Sequence, residues 1–155
     1  MVEPQVFSTI TPTLTPTIEP PPTPASTTTE ASLAITNIQG AECIPNQPVQ
    51  TGKVVDIVDG DTIKVLIEGQ VYSVRYIGMD TPENTTTREF FGPEATSKNA
   101  ELVFGKDVTL IKDVSETDQY GRLVRYVLLD DMFVNLELVE LGFANAYPYP
   151  PDNFL

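Results

Sequence analysis

Five short runs of β-branched and aromatic residues stand out along the chain: KVVDIV at 53–58, TIKVLI at 62–67, VYSVRYI at 71–77, DVTLIK at 107–112 and LVRYVLL at 123–129. Branched side chains lose χ1 freedom in a helix and pack well on a pleated face, so such runs, bounded by Gly and Asp, predict strands. Asp59-Gly60 follows the first run and Glu68-Gly69-Gln70 the second. Both are turn signals, and the first three strands are expected to form an antiparallel meander.

The period changes at GPEATSKNAELVFG, residues 92–105. Pro93 suits the first helical position, where its missing N–H removes no bond, Glu94 favours the positive end of the helix dipole, and Gly105 suits the stop. A second helix is predicted near 133–141, FVNLELVEL, where Val134, Leu138 and Leu141 share one face and Gly142 ends the run. The order β-β-β-α-β-β-α predicts an α+β protein, a five-stranded β-barrel with helices on the OB-fold plan. Barrels of this plan commonly present one face to oligonucleotides or oligosaccharides, but a fold does not define a function.

Residues 1–50 hold nine of the fourteen prolines and long Thr/Ser/Pro runs. Such a segment buries too little apolar surface to offset its ordering entropy. We expect a disordered, extended Thr/Pro-rich linker over 1–50 and a folded domain over 51–155. No stretch approaches the ~20 apolar residues of a membrane span, and MVEPQVFSTI lacks the charged start and apolar core of a secretory signal. Thr/Pro-rich stalks hold domains away from cell surfaces, so a secreted or surface-tethered chain is the expected context. Cys43 is the only cysteine and lies at the linker's end. It is either an exposed thiol or half of a bridge whose partner is missing from this chain.

The net charge is −13; all nine Lys/Arg follow residue 50 together with 18 of the 22 Asp/Glu, which leaves the folded part at −9. This argues against a broad basic face gripping nucleic acid, so any phosphate chemistry has to be local. Three pieces can supply it: VDGDT with Asp61; VRYIGMDTPEN with Arg75, Asp80, Thr81 and Glu83; and TDQYGR with Asp118, Tyr120 and Arg122. Asp61 shares a strand face with Ile63, Val65 and Ile67, where a carboxylate is costly unless a cation matches it. Hairpin pairing brings the end of the third strand near the start of the second, so Asp61 and Asp80 can converge. With the Thr81 carbonyl and waters they would form an oxygen-only shell suited to Ca²⁺. The chain has no histidine, which argues against zinc or copper. Glu83, past a proline that fixes the turn, could hold a water as general base, while the forks of Arg75 and Arg122 match phosphate oxygens.

Each piece alone also has a plain structural explanation. Asp59-Gly60 is first of all a turn, Asp61 a strand-end acid, and Asp80-Thr81-Pro82-Glu83 a turn or helix start. Arg75 and Arg122 could be surface ion-pair partners, and Tyr120, Tyr147 and Tyr149 amphipathic rim residues.

Taken together and in this order, IVDGDTIKV, VRYIGMDTPE and TDQYGR resemble the staphylococcal nuclease family over about residues 52–149. The resemblance implies that Asp61, Asp80 and the Thr81 carbonyl ligate Ca²⁺, that Glu83 is the general base, and that Arg75 and Arg122 bind phosphate in the transition state. Tyr120 sits where the family has a tyrosine near the nucleotide, and Tyr147 and Tyr149 resemble the pair lining the base pocket, with spacing from Gly142 altered by a residue. Family members usually continue into a third, often basic helix. This chain stops at PYPPDNFL, so a C-terminal truncation is expected.

The implied activity is a Ca²⁺-dependent phosphodiesterase cleaving DNA and RNA with little sequence preference and leaving 3′-phosphate ends, in a protein expected to be monomeric. The alternative is a non-catalytic OB-fold module binding nucleic acid or protein. Such modules lose members of the acid and arginine set, whereas Asp61, Arg75, Asp80, Glu83 and Arg122 are all present here. A Ca²⁺-stabilised acidic surface module would leave both arginines without a task.

Overall fold

The structure, a computed structural model, describes residues 38–45, 47–84 and 89–152. Most of the expected linker, residues 1–37, lies outside them. The boundary at residue 50 needs correcting: Ile38, Ala41, Ile44 and Val49 are buried against Ile77, Ile111, Tyr126, Leu128 and Phe133. A few apolar residues among the prolines suffice for this, and average composition hides them.

Strand β1 (Val49–Ile57) pairs antiparallel with β2 (Thr62–Ile67), with a register shift between Val54 and Asp56. β2 pairs antiparallel with β3 (Gln70–Tyr76), placing Thr62 opposite Arg75. The two-residue link between them puts Glu68 at φ 49° and Gly69 at φ 85°, the left-handed pair that a tight hairpin needs. The meander expected for the first three strands is thus observed.

The barrel closes through the chain's second half. β5 (Asp107–Ile111) pairs antiparallel with β1 and with β6 (Leu123–Leu129), and β6 runs parallel to β3, with Val74 opposite Leu123. The result is a closed five-stranded mixed barrel with two helices, on the OB-fold plan. Its interior follows the two-residue period: Ile63, Val65 and Ile67 of β2 are at most 2% exposed and meet Val54, Val74, Leu110 and Val127. Each fully buried Ile, Leu or Val contributes ~1.5–3 kcal/mol.

Helix α1 (Gly92–Val103) carries Pro93 in its first turn and ends before Gly105 at φ 74°, burying Ala95, Leu102 and Val103. β7 (Met132–Phe133) leads into α2 (Val134–Glu140), which buries Val134 and Leu138. Leu141 was expected on that apolar face. It is instead 46% exposed, because the helix stops at Glu140 and Gly142 turns the chain at φ 78°. Two further pairs of residues, β4 (Met79–Asp80) and β8 (Asn145–Ala146), form an antiparallel ladder that lays the C-terminal segment beside Asp80. Among the described residues no helix is long and apolar enough to cross a membrane.

Two buried asparagines join the layers. Asn135 accepts the Val127 N–H and donates to the Ile77 carbonyl, both at 2.9 Å. Asn99 of α1 accepts the Tyr76 hydroxyl at 2.9 Å and donates to the Asp59 carbonyl at 3.0 Å, fixing the β1–β2 turn to the helix.

Candidate functional site

The loop between β1 and β2 is shaped by its own polar groups. The N–H groups of Val58 and Asp59 both donate to the Thr62 carbonyl, and Asp59 Oδ1 accepts the Asp61 N–H at 3.1 Å. That is the Asx-type turn expected for Asp-Gly. Gly60 is required for space: a Cβ there would stand 2.7 Å from Thr81 Oγ1 and 2.9 Å from the Ala95 Cβ.

The turn aims Asp61 inward, where it is 1% exposed. Its Oδ2 accepts both the N–H and the hydroxyl of Thr81, each at 2.9 Å. Its Oδ1 accepts the Thr62 hydroxyl at 3.1 Å and pairs with Arg75 Nη1. A buried carboxylate is tolerable only with such matching. Arg75 extends its other nitrogen, Nη2, to Asp80 Oδ1 at 2.6 Å, so one guanidinium spans both acids. Asp80 is half exposed at its side chain.

Arg122 reaches the same spot from the far side. Asp118 Oδ1 accepts the N–H groups of Tyr120 and Arg122 at 2.9 and 3.0 Å, its Oδ2 accepts Arg122 Nε at 2.7 Å, and Gly121 turns at φ 77°. The guanidinium thus held donates from Nη1 to Thr62 Oγ1 at 3.3 Å. Thr62 therefore stands between Arg122 and Asp61. The Tyr120 ring centroid lies 5.4 Å from the Arg122 guanidinium carbon, a cation–π contact of ~0.5–1 kcal/mol at an exposed site. Burial pushes the Asp59 carboxyl above its ordinary value, while the hydrogen bond to Thr62 and the charges of Arg75 and Arg122 pull the other way.

A cleft of about 310 Å³ opens beside this cluster, lined by Arg75, Tyr120, Arg122, Tyr147, Tyr149 and Asp152 among others, while Asp61, Thr62, Asp80 and Thr81 stand outside its lining. Of the residues singled out from sequence, Asp61, Arg75, Asp80 and Thr81 gather directly, Arg122 joins them through Thr62, and the three tyrosines line the cleft with Arg75 and Arg122. Glu83 is exposed and lies outside that lining, three residues past Asp80. Its backbone is clamped: the Glu83 N–H donates to Glu89 Oε2 at 3.1 Å, and its carbonyl accepts the Glu89 N–H at 2.9 Å. Asp59 shapes the site through the turn that Asp-Gly predicts, and Thr62, Asp118 and Asp152 also shape it without having been assigned a role from sequence. Of these three, only Asp118 carried a local mark, the Asx-turn pattern Asp-x-Tyr-Gly.

Among the described residues no three His, Cys, Asp or Glu side chains gather closely enough to hold a metal ion. Asp61 and Asp80, sharing one guanidinium, are an all-oxygen pair that fits a hard divalent cation, provided carbonyls and waters supply the remaining ligands.

A mixed OB-fold barrel with acids and arginines gathered where β2, β3 and β4 meet defines the class of protein. Residues 73–154 match the family model described as staphylococcal nuclease homologue, and the chain belongs to this family. It is 37% identical over 112 residues to a thermonuclease of Staphylococcus hyicus, covering 70% of this chain and 66% of that protein. It is 41% identical over 100 residues to the SPbeta prophage-derived endonuclease YokF of Bacillus subtilis, covering 61% of this chain and 34% of that protein. It is 39% identical over 100 residues to endonuclease YncB of the same organism, covering 61% and 47%. The chain thus spans between about a third and two thirds of the length of these relatives.

Proposed function

We propose that this protein is a Ca²⁺-dependent nuclease that hydrolyses phosphodiester bonds of DNA and RNA with little sequence preference. The observation that carries the reading is the meeting of Arg75 and Arg122 around Asp61 and Thr62. Two guanidinium groups at one spot of a chain with net charge −13 make a local phosphate site where no broad basic surface exists. The relatives named thermonuclease and endonuclease support the same reading.

In this reading Asp61, Asp80 and the Thr81 carbonyl hold Ca²⁺, which when bound polarises a phosphate oxygen. Glu83 takes the proton of the attacking water. The water oxygen bonds phosphorus in line, the bond from phosphorus to O5′ breaks, the departing O5′ takes a proton from solvent water, and the products carry a 3′-phosphate and a 5′-hydroxyl. Arg75 and Arg122 bind the charge that develops on the phosphoryl oxygens. Tyr120, Tyr147 and Tyr149 supply aromatic faces for the neighbouring base, which favours stacking over reading of base edges and keeps sequence preference low. The protein acts as a monomer outside the cell or tethered to its surface, a placement that rests on the Thr/Pro-rich stretch before the barrel.

The test is release of acid-soluble nucleotides from denatured DNA and from RNA, with Ca²⁺ and with EDTA. Release that needs Ca²⁺ is expected. Equal rates in both buffers would remove the metal mechanism, and nucleotide binding without release would favour a non-catalytic OB-fold module.

A further inference from the structure

Tyr147–Asp152 forms one wall of the cleft, and residues 145–151 are all exposed. Two ties hold this wall. At its start β8 pairs with β4, and the Tyr147 N–H donates to the Gly78 carbonyl at 2.8 Å. At its end Asp152 is 6% exposed, and its Oδ1 accepts the N–H groups of Val114 and Ser115 at 3.0 and 2.8 Å. The Asp152 N–H also donates to the Tyr149 carbonyl at 3.1 Å. A buried carboxylate taking two backbone N–H groups is a strong, directional anchor.

The anchor lands on the loop that continues through Thr117 into the Asp118–Arg122 turn. Asp152 therefore connects the wall bearing Tyr147 and Tyr149 to the wall bearing Tyr120 and Arg122. Its position at the end of seven exposed residues, which add little apolar burial, gives the contact little to do for the core. Its effect falls on where the exposed tyrosines stand.

We infer that Asp152 is a positioning residue that sets the separation of the tyrosine and arginine walls, and with it how tightly a nucleotide's base and phosphate are gripped together. The inference rests on the nuclease reading above. Loss of the tie widens the cleft and weakens binding, while Glu83, Asp61 and Arg75, which Asp152 does not touch, leave the chemical step in place.

The test compares the full chain with its Asp152→Ala and Asp152→Asn variants. Steady-state kinetics use a short single-stranded DNA, and affinity is read by anisotropy of a labelled phosphorothioate oligonucleotide. Asp152→Ala is expected to raise KM and Kd about five- to tenfold with kcat within about twofold. Asp152→Asn, whose Oδ1 can still accept both N–H groups, should stay near the parent. Ala and Asn variants that are equally impaired, or an Ala variant with KM and Kd unchanged, would overturn the inference. So would a fall in kcat alone.

Amide hydrogen exchange provides the second measurement. In Asp152→Ala, protection should be lost at Val114 and Ser115 and kept at Val127, whereas retained protection at Val114 and Ser115 would refute the tie. A parent chain that neither binds nor cleaves nucleic acid would sink the nuclease reading itself, with the exchange result still deciding the tie.

Discussion

Asp61 and Arg75 meet across the β2–β3 ladder, where the Asp61 carbonyl accepts the Tyr76 N–H at 2.9 Å and its carboxylate holds the neighbouring guanidinium. The Asp61 side chain is 2% exposed, whereas that of Asp80, on the same guanidinium, is 53% exposed. Asp61→Asn is therefore expected to cost ~2–4 kcal/mol, because it strips a nearly buried cation of its best-matched partner. Asp80→Asn should cost under ~1 kcal/mol, as an exposed pair does. Urea unfolding of both variants measures this, and equal losses would show that burial does not set the ranking.

With Glu83 as general base, Glu83→Gln keeps the shape of the loop and removes the proton acceptor. Turnover should fall by ~10²- to 10⁴-fold. Affinity for an uncleavable oligonucleotide should hardly change, because the arginines and tyrosines that line the cleft are untouched. Turnover within a factor of a few of the parent would assign the base to another group.

The strands were legible wherever a run kept its two-residue period, and β2 and β6 occupy the residues that the pattern predicts. β1 starts at Val49, four residues earlier than its pattern suggests, because Val49 and Gln50 gain their partners from Ile111 and Leu110 far along the chain. β4 and β8 have two residues each, too few to show any period. The charged residues at the site were visible as residue types in three motifs. The approach of Asp61 to Asp80 was legible from the hairpin, but the joining of distant pieces was not: Thr62 meets Arg122 across sixty positions, and Asp152 meets Val114 across thirty-eight. Such pairs exist only once β3 and β6 close the barrel in parallel, a step that local pattern does not encode.

Gly92 offers a mutation remote from the charged cluster. A Cβ at this position would stand 2.4 Å from the Glu83 carbonyl oxygen and 3.0 Å from that of Pro82, both backbone atoms that cannot rotate away. Gly92→Ala must therefore shift the loop that carries Glu83. An ångström of displacement of a base can cost ~10²-fold in rate. We expect kcat to fall at least about tenfold, with Kd for an uncleavable oligonucleotide preserved. A folded Gly92→Ala protein with full kcat would show that the loop absorbs the clash without moving Glu83.

Tyr76 gives a pH dependence that belongs to the fold. Its hydroxyl donates to Asn99 Oδ1 at 2.9 Å, and the residue is 2% exposed. Burial drives the phenol well above its ordinary value of 10.0 and the Asp59 charge pushes the same way, while the bond to Asn99 opposes them. The folded state thus keeps a proton that the unfolded chain releases near pH 10. The stability this contributes is complete below that pH and is lost as pH rises through the interval toward the folded-state value, at ~1.4 kcal/mol per pH unit. Tyr76→Phe removes both the titration and the hydrogen bond, so the variant should be less stable by ~1 kcal/mol at neutral pH. Between about pH 10 and 11 the parent should lose stability faster than the variant, and the gap between them should narrow or reverse. Urea unfolding of the two proteins at about pH 8 and pH 11 reads the difference, from which the other tyrosines cancel. Parallel losses in the two proteins would mean that the folded Tyr76 ionises as readily as an unfolded one, contrary to its burial beneath α1.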